Sequence, residues 1–334
     1  MCGAGTISAA HAAALTLLGV EVTAVASRTE ARAANLSRRT GARVVGYDDL
    51  PAGADIVLVQ TPPAAHCNDV LRALGAGAAV LVEKPLCTTL VEADAIVRAA
   101  SAPGARLLYA ENLAYSPVVQ QFVRRVRALG PLRHLEVRAV NPLPSWGEFT
   151  TSHWGGGALF DLGVHPLAVA VMAAAPARPV SVLARLEGSA DGSHPTDEHA
   201  EVVVEFDNGL SARIVASWRA PGAPLWDAQA ASDSGVVRAE LLPAPALEVN
   251  GEPITLPAAT SRVPAVEHYG YLGEWTAFLD DLERARNSFM DAAFGRMMLD
   301  IVCAAYASAR SGSAERTPFA GPRDRTPLQL WRGG

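Results

Sequence analysis

In the first third of the chain the apolar positions fall into short unbroken runs. Ile56-Val57-Leu58-Val59, Ala78-Ala79-Val80-Leu81-Val82 and Leu107-Leu108-Tyr109-Ala110 contain no polar interruption, which suits strands buried on both faces of a parallel sheet. Residues 7–18, 30–40, 66–75 and 91–100 carry helical patterns, and 20–26 and 43–45 read as two more strands. Strand and helix therefore alternate, and a doubly wound α/β sheet is expected. From about Pro117 the pattern changes. A helix over 118–129 ends at Gly130-Pro131, and alternating runs follow at 134–140, 180–187, 200–206, 210–217 and 236–241, the signature of strands with one buried face. Asp207-Asn208-Gly209 reads as a hairpin turn between two of them. Helices over 270–286 and 294–309 finish the chain, and 189–197 reads as a mobile loop. Two domains are expected: α/β over residues 1–116, and α+β with a large, mainly antiparallel open sheet over residues 117–334.

Composition narrows the partners. Half of the 334 residues are hydrophobic, enough for two full cores and too many for a disordered chain. The net charge is −6 and no basic run exceeds Arg124-Arg125, which argues against nucleic acid or an anionic membrane as partner and leaves small molecules. Cys2, Cys67, Cys87 and Cys303 are far apart, in neither a metal-ligand spacing nor a disulfide framework, so no metal is expected and a reduced cytoplasm fits. The longest apolar stretch, 167–175, is too short to span a bilayer, and no charged leader opens the chain; neither export nor anchoring is expected.

Gly3-Ala4-Gly5-Thr6-Ile7-Ser8 has the spacing of a dinucleotide-binding turn, with Ser8 where a third glycine or alanine normally lies. Its glycines let the backbone approach a pyrophosphate held at the start of the following helix, which makes Gly3, Gly5, Thr6 and Ile7 candidate coenzyme contacts. A Rossmann unit needs a central strand before this turn, yet only Met1 and Cys2 precede it. That strand is expected to be missing, uncovering its two neighbours, and the natural start is expected to lie upstream. An NAD site places an acid about 20 residues beyond the glycines. Here stand Ser27 and Arg28, whose hydroxyl and guanidinium favour NADP over NAD. Thr61 and Pro62 close the next strand in a stiff loop placed to run along the nicotinamide ribose, and His66 reads first as a helix-start residue and second as a cofactor neighbour.

Glu83-Lys84-Pro85 ends the run 78–82. Lys84 then sits at the carboxyl end of its strand, where open α/β sheets bind ligands; a loop lysine paired with Glu83 fits the tripeptide equally well. Asn112 and Tyr115 follow the next strand to the same edge, as substrate contacts or equally as turn and packing residues. Farther on comes Gly155-Gly156-Gly157-Ala158-Leu159-Phe160-Asp161-Leu162-Gly163-Val164-His165. The glycines allow a close backbone approach, and Asp161 and His165, four apart, share a face if the helix is continuous. A carboxylate beside an imidazole makes a general base; a capping acid and a satisfied core histidine explain the stretch alone just as well. Pro166 predicts a kink or helix restart.

Together, the glycine turn, Glu83-Lys84-Pro85 and Gly-Gly-Gly-x-x-x-Asp-x-Gly-x-His resemble the Gfo/Idh/MocA oxidoreductases in order and separation, and the resemblance runs from Gly3 to Trp331. It implies an NAD(P)-dependent enzyme acting on a secondary alcohol of a sugar, cyclitol or related polyol. Lys84, Asp161 and His165 would be catalytic and face the substrate, with Glu83 and Lys84 beside the coenzyme. His165 would take the hydroxyl proton, Lys84 would stabilise the reacting oxygen, and Asp161 would orient His165. Trp146, His153 and Trp154 line a sugar pocket or pack. Two alternatives stay open: a non-catalytic nucleotide sensor or scaffold, and a glycosidase of the same fold with tightly held NAD. An exposed antiparallel sheet face predicts a homodimer or tetramer.

Overall fold

The computed structural model describes residues 1–50 and 53–333. Along the chain come α1 (Ser8–Leu17), β1 (Ala24–Val25), α2 (Glu30–Thr40), β2 (Arg43–Val44), β3 (Ile56–Val59), α3 (Pro63–Gly75), β4 (Ala79–Glu83), α4 (Leu90–Ala100), β5 (Leu107–Ala110) and, after a 3₁₀ turn at Asn112–Tyr115, α5 (Pro117–Ala128). The middle of the chain forms β6 (Leu132–Val140), α6 (Ala158–Asp161), α7 (Val164–Ala174), β7 (Pro179–Gly188), β8 (Asp197–Phe206), β9 (Ser211–Ser217), β10 (Leu225–Ser232), β11 (Gly235–Leu242), β12 (Ala246–Val249) and β13 (Glu252–Pro253). It ends with α8 (Pro264–His268), α9 (Tyr271–Glu283), α10 (Ala292–Ser311), β14 (Glu315–Arg316) and α11 (Pro327–Arg332).

These elements form two units. The first comprises Met1–Cys87, Val91–Ser116 and Ala259–Arg296. Its strands are all parallel, β1 with β2 and β3 with β4 with β5. The position expected to be vacant between β1 and β3 is held by the first residues of the chain, which corrects the expectation of a missing strand in part. Cys2 bridges Ala26 on one side and Val59 on the other. Its N–H donates to Leu58 O at 2.7 Å, and Gly3 N–H donates to Ala26 O at 2.9 Å. With that stub counted, the sheet runs β2, β1, stub, β3, β4, β5, the order of a Rossmann sheet. β1 covers only the end of the expected strand 20–26, because the stub lies beside its last residues alone.

The segment 259–296 belongs with this unit, whereas a single cut at residue 116 would have given it to the second domain. The reason is tertiary. Trp275 and Phe278 of α9 are both 2% exposed, and α9 packs on α1 and on the 3₁₀ turn. Polar links reinforce the packing: Trp275 Nε1–H donates to His11 Nδ1 at 2.9 Å, Asn112 Nδ2 donates to Tyr269 O at 2.6 Å, and Ser116 Oγ donates to His268 O at 2.7 Å. No periodicity in the segment encodes that destination.

The second unit comprises Thr88–Leu90, Pro117–Ala258 and Met297–Gly334. Its nine-stranded sheet runs β13-β12-β11-β10-β6-β9-β8-β7-β14, antiparallel except for the β6/β9 pair. On β6, Leu135, Val137 and Ala139 are buried while Glu136 and Arg138 lie between them and are half-buried, as a strand with two unlike faces requires. Helix α7 packs on β6 and α5 on β11. The polar positions of neighbouring strands pair as charges: Arg138 Nε with Asp227 Oδ1 at 2.7 Å, and Arg213 Nη1 with Glu136 Oε2 at 2.7 Å. Strands β10 and β12 escaped the sequence reading. The buried positions of β10 are Ala228 and Ala230, side chains too small and too weak in strand preference to signal a core face. The loop expected over 189–197 ends sooner, since Thr196 and Asp197 are fully buried. Among the described residues, α10 is long and apolar enough by composition to cross a membrane, but 67% of it is buried inside the fold.

Candidate active site

In the first unit, Gly3 to Ile7 leave the Cys2 stub and lead directly into α1. Gly3 has φ +104°, and a Cβ there would stand 2.6 Å from Gln60 O; only glycine fits. A Cβ on Gly5 would meet nothing within 4 Å, so this glycine faces open space. No side chain caps the start of α1 and no acid stands in its first turn, as suits an anion at a helix amino end. Ser8, the departure from the usual motif, is 5% exposed and donates through Oγ to Gly5 O at 2.5 Å. The turn therefore fits a coenzyme pyrophosphate, with Ser8 closing the turn by a hydrogen bond where a smaller residue would close it by contact.

The neighbouring loops face the same sheet edge. Gln60 Nε2 donates to Gly3 O at 2.9 Å, and Thr61 Oγ1 donates to Asp69 Oδ2 at 2.8 Å. Pro62 precedes α3, which begins at Pro63, so the expected helix start at His66 moves one turn earlier. Instead of opening the helix, His66 lies inside it at 1% exposure. At the end of β1, Ser27 Oγ accepts from Thr29 N–H at 3.2 Å, and Arg28 is exposed.

Lys84 follows directly on β4 and is half-buried. Glu83, a candidate coenzyme contact, is 6% exposed, and both its oxygens are engaged inside the unit. Oε1 meets His11 Nε2 at 2.8 Å, and Oε2 accepts from Lys84 N–H at 3.0 Å. Since a tryptophan N–H can only donate, Trp275 makes His11 Nδ1 an acceptor, and the His11 proton must sit on Nε2 and point at Glu83. Asn112 and Tyr115, read from the sequence as substrate contacts or equally as turn and packing residues, are 7% and 5% exposed; the Asn112 amide nitrogen donates to Tyr269 O, and the Tyr115 hydroxyl lies 3.3 Å from Ser288 Oγ. Burial pushes the Tyr115 hydroxyl pKa upward. Deeper still lies Glu274 of α9, fully buried, with no hydrogen-bond partner for either oxygen among the described residues. Burial, then Glu83 and Glu111, hold its carboxyl well above the ordinary range.

In the second unit, the kink or restart expected at Pro166 takes the form of two separate helices, so Asp161 and His165 do not share one continuous helix. Asp161 ends α6 and His165 is the second residue of α7, and the chain bends by 44° at the break. The break comes at Leu162-Gly163, ahead of Pro166. A Cβ on Gly163 would meet Leu159 O at 2.5 Å, and Pro166 is tolerated in the first turn of α7. His165 is 5% exposed, with its ring 5.3 Å from that of Trp226. Trp226 packs on a cluster of Ala139, Ala158, Leu162 and Trp218. Of the aromatic candidates, Trp146 is 54% exposed, His153 is exposed, and Trp154 has a buried indole N–H with no partner among the described residues.

The glycine triplet is explained by its surroundings in this unit. A Cβ on Gly157 would stand 2.1 Å from Asp197 O, and one on Gly156 2.3 Å from Phe160 Cβ. Asp197 Oδ2 accepts from Leu159 N–H at 2.9 Å, Asp197 Oδ1 accepts from the Tyr306 hydroxyl, and that hydroxyl accepts from Gly157 N–H at 2.9 Å. Burial raises the Asp197 carboxyl pKa against the pull of these donors. Gly155 O accepts from Leu328 N–H at 2.8 Å, which ties the start of α11 to the triplet. The sequence reading missed Asp197 and Tyr306, as it missed His11, Trp275 and Glu274. Only His11, a lone imidazole in an Ala-rich helix, carried any local signal.

Comparison with known proteins supports the family and the fold. A profile described as an oxidoreductase family with an NAD-binding Rossmann fold matches residues 1–111, and the GFO/IDH/MocA C-terminal domain profile matches residues 120–252. An uncharacterised oxidoreductase of Rhizobium meliloti is 32% identical over 60% of this chain and 61% of its own length. A dTDP-3,4-didehydro-2,6-dideoxy-alpha-D-glucose 3-reductase of Saccharopolyspora spinosa is 36% identical over 44% of this chain and 46% of its own. The chain thus spans from about half to three-fifths of these curated relatives. GenD2 from gentamicin A biosynthesis, solved in complex with NAD, superposes with a TM-score of 0.84 over 95% of both chains at 24% identity, a likeness of fold.

Proposed function

The chain belongs to the Gfo/Idh/MocA oxidoreductase family, and we propose that it transfers hydride between a nicotinamide coenzyme and a secondary alcohol or ketone of a sugar, cyclitol or related polyol. The observation that carries this reading is the pairing of an open glycine turn at Gly5 with Lys84, each at the carboxyl end of a strand of one parallel sheet, the edge at which such sheets bind ligands. Gly3, Gly5, Thr6 and Ile7 would hold the pyrophosphate, with Thr61 and Pro62 beside the nicotinamide ribose. When bound, the nicotinamide accepts or supplies the hydride. His165 takes the hydroxyl proton in the oxidative direction, Lys84 donates a hydrogen bond to the same oxygen, and Asp161 steers His165.

The finer readings follow from the same residues. Exposed Arg28 beside Ser27, with no acid at either position, favours NADP over NAD. Four free cysteines suit a reducing cytoplasm, and the sheet face opposite α5 and α7 suits a homodimer or tetramer. Fluorescence titration with NADPH and NADH in parallel tests the coenzyme reading: saturable binding, tighter for NADPH, is expected, and binding of neither overturns it. A screen of polyols and ketoses should then show turnover that Lys84→Ala lowers by about a hundredfold or more, with coenzyme affinity largely retained.

A further inference from the structure

The imidazole of His66 stands between two backbone carbonyls from different loops, with Nε2 2.6 Å from Thr61 O and Nδ1 2.9 Å from Pro85 O. At 1% exposure the ring exchanges neither contact for water. Thr61 belongs to the loop that closes β3, and Pro85 follows Lys84 at the end of β4. We propose that His66 is a positioning residue that clamps the coenzyme-side loop at Thr61 to the Lys84-Pro85 turn. The proposal rests on the oxidoreductase reading only for what Lys84 does; the clamp stands on its own geometry.

The clamp completes a circuit. Gln60 Nε2 reaches Gly3 O in the glycine turn, Thr61 is fixed through Asp69 and through His66, and His66 reaches Pro85. From the other side His11, in the helix that the glycine turn opens, holds Glu83, whose second oxygen accepts from Lys84 N–H. The backbone around Lys84 is therefore tied to the glycine turn by two routes, each passing through a buried histidine. Their chemistry differs. Trp275 leaves His11 Nδ1 an acceptor, whereas a His66 ring carrying one proton donates to Thr61 O or to Pro85 O in turn, according to its tautomer, and to both at once only when doubly protonated. Burial works against that charge and leaves His66 below the ordinary histidine range, although the two carbonyls, Glu83 and Asp69 all favour the proton.

An amide can replace either half of the ring. His66→Asn keeps a donor near the Nδ1 position and so the link to Pro85; His66→Gln keeps one near Nε2 and so the link to Thr61. Hydrogen exchange read by mass spectrometry on the full chain, without ligand, should show the segment around Lys84 opening about tenfold faster in His66→Gln but close to wild type in His66→Asn, as expected for one lost buried hydrogen bond. The segment around Thr61 should show the reverse, and titration with NADPH and NADH should weaken about tenfold in His66→Asn alone. Identical exchange patterns in the two variants, or no change in either segment, would overturn the clamp. A wild-type chain that binds neither coenzyme would end the oxidoreductase reading while the exchange pattern still decided the clamp. If both variants fail to fold, histidine-selective ¹⁵N spectra of the wild type decide it: slowly exchanging His66 ring protons support the clamp, and rapidly exchanging ones refute it.

Discussion

Glu274 shows how far a single residue can stand from its ordinary chemistry. A fully buried carboxyl with neither oxygen hydrogen-bonded among the described residues, near Glu83 and Glu111, keeps its proton in the folded protein well above the value of 4.5 at which it would ordinarily lose it. The unfolded chain releases that proton near 4.5, so above this pH the native state binds more protons than the unfolded state, and stability falls as pH rises. Glu274→Gln removes the dependence. Thermal melts of the two proteins should agree most closely near pH 5 and diverge toward pH 8 in favour of the variant, by up to about 1.4 kcal/mol per pH unit while the native carboxyl stays protonated. A constant difference across that range would show that the carboxyl is ionised in the folded state. Nothing beside Glu274 in the sequence announces this, because Glu83 and Glu111 lie far away along the chain.

At the scale of the element, glycines of similar appearance do opposite work. Gly5 faces open space, whereas Gly157 has Asp197 O where its Cβ would go. Gly5→Ala should fold and melt like the wild type yet bind nicotinamide coenzymes at least about tenfold more weakly, because the added methyl occupies the line of approach of a phosphate. Gly157→Ala should lower stability by roughly 2–4 kcal/mol through backbone displacement, with circular dichroism melts as the readout. The sequence showed both motifs but not this difference. It was also clear on the parallel strands β3 to β5, whose apolar runs are unbroken, and on the hairpin at Asp207-Asn208-Gly209, where Gly209 N–H donates to Phe206 O at 2.9 Å. It was silent on β10, where alanines fill the buried positions. For Asp161 and His165 the spacing was visible, and Pro166 announced a break, but its position at Leu162-Gly163 was not legible, since Gly163 reads as a helix residue until its contact with Leu159 is known.

For the molecule as a whole, the feature with the widest reach is the return of 259–296 to the first unit. A fragment of residues 1–116 should therefore lack cooperative melting and bind a hydrophobic dye, since α1 loses Trp275 and the 3₁₀ turn loses Tyr269 and Gly270; a sharp melting transition would show that α9 is dispensable. The same return sets an order of events during synthesis. As the ribosome extrudes the chain from its amino end, the glycine turn and Lys84 emerge early, but the helix that completes their surroundings is made only after β13, when eight of the nine strands of the large sheet have been made. The nascent nucleotide-binding half must wait, incompletely built, for most of a translation cycle, and coenzyme captured before that point would find no finished seat. Chaperone demand should consequently fall on the first-made half of this protein, and slowing translation between β13 and α9 should lower its yield more than slowing translation near the start.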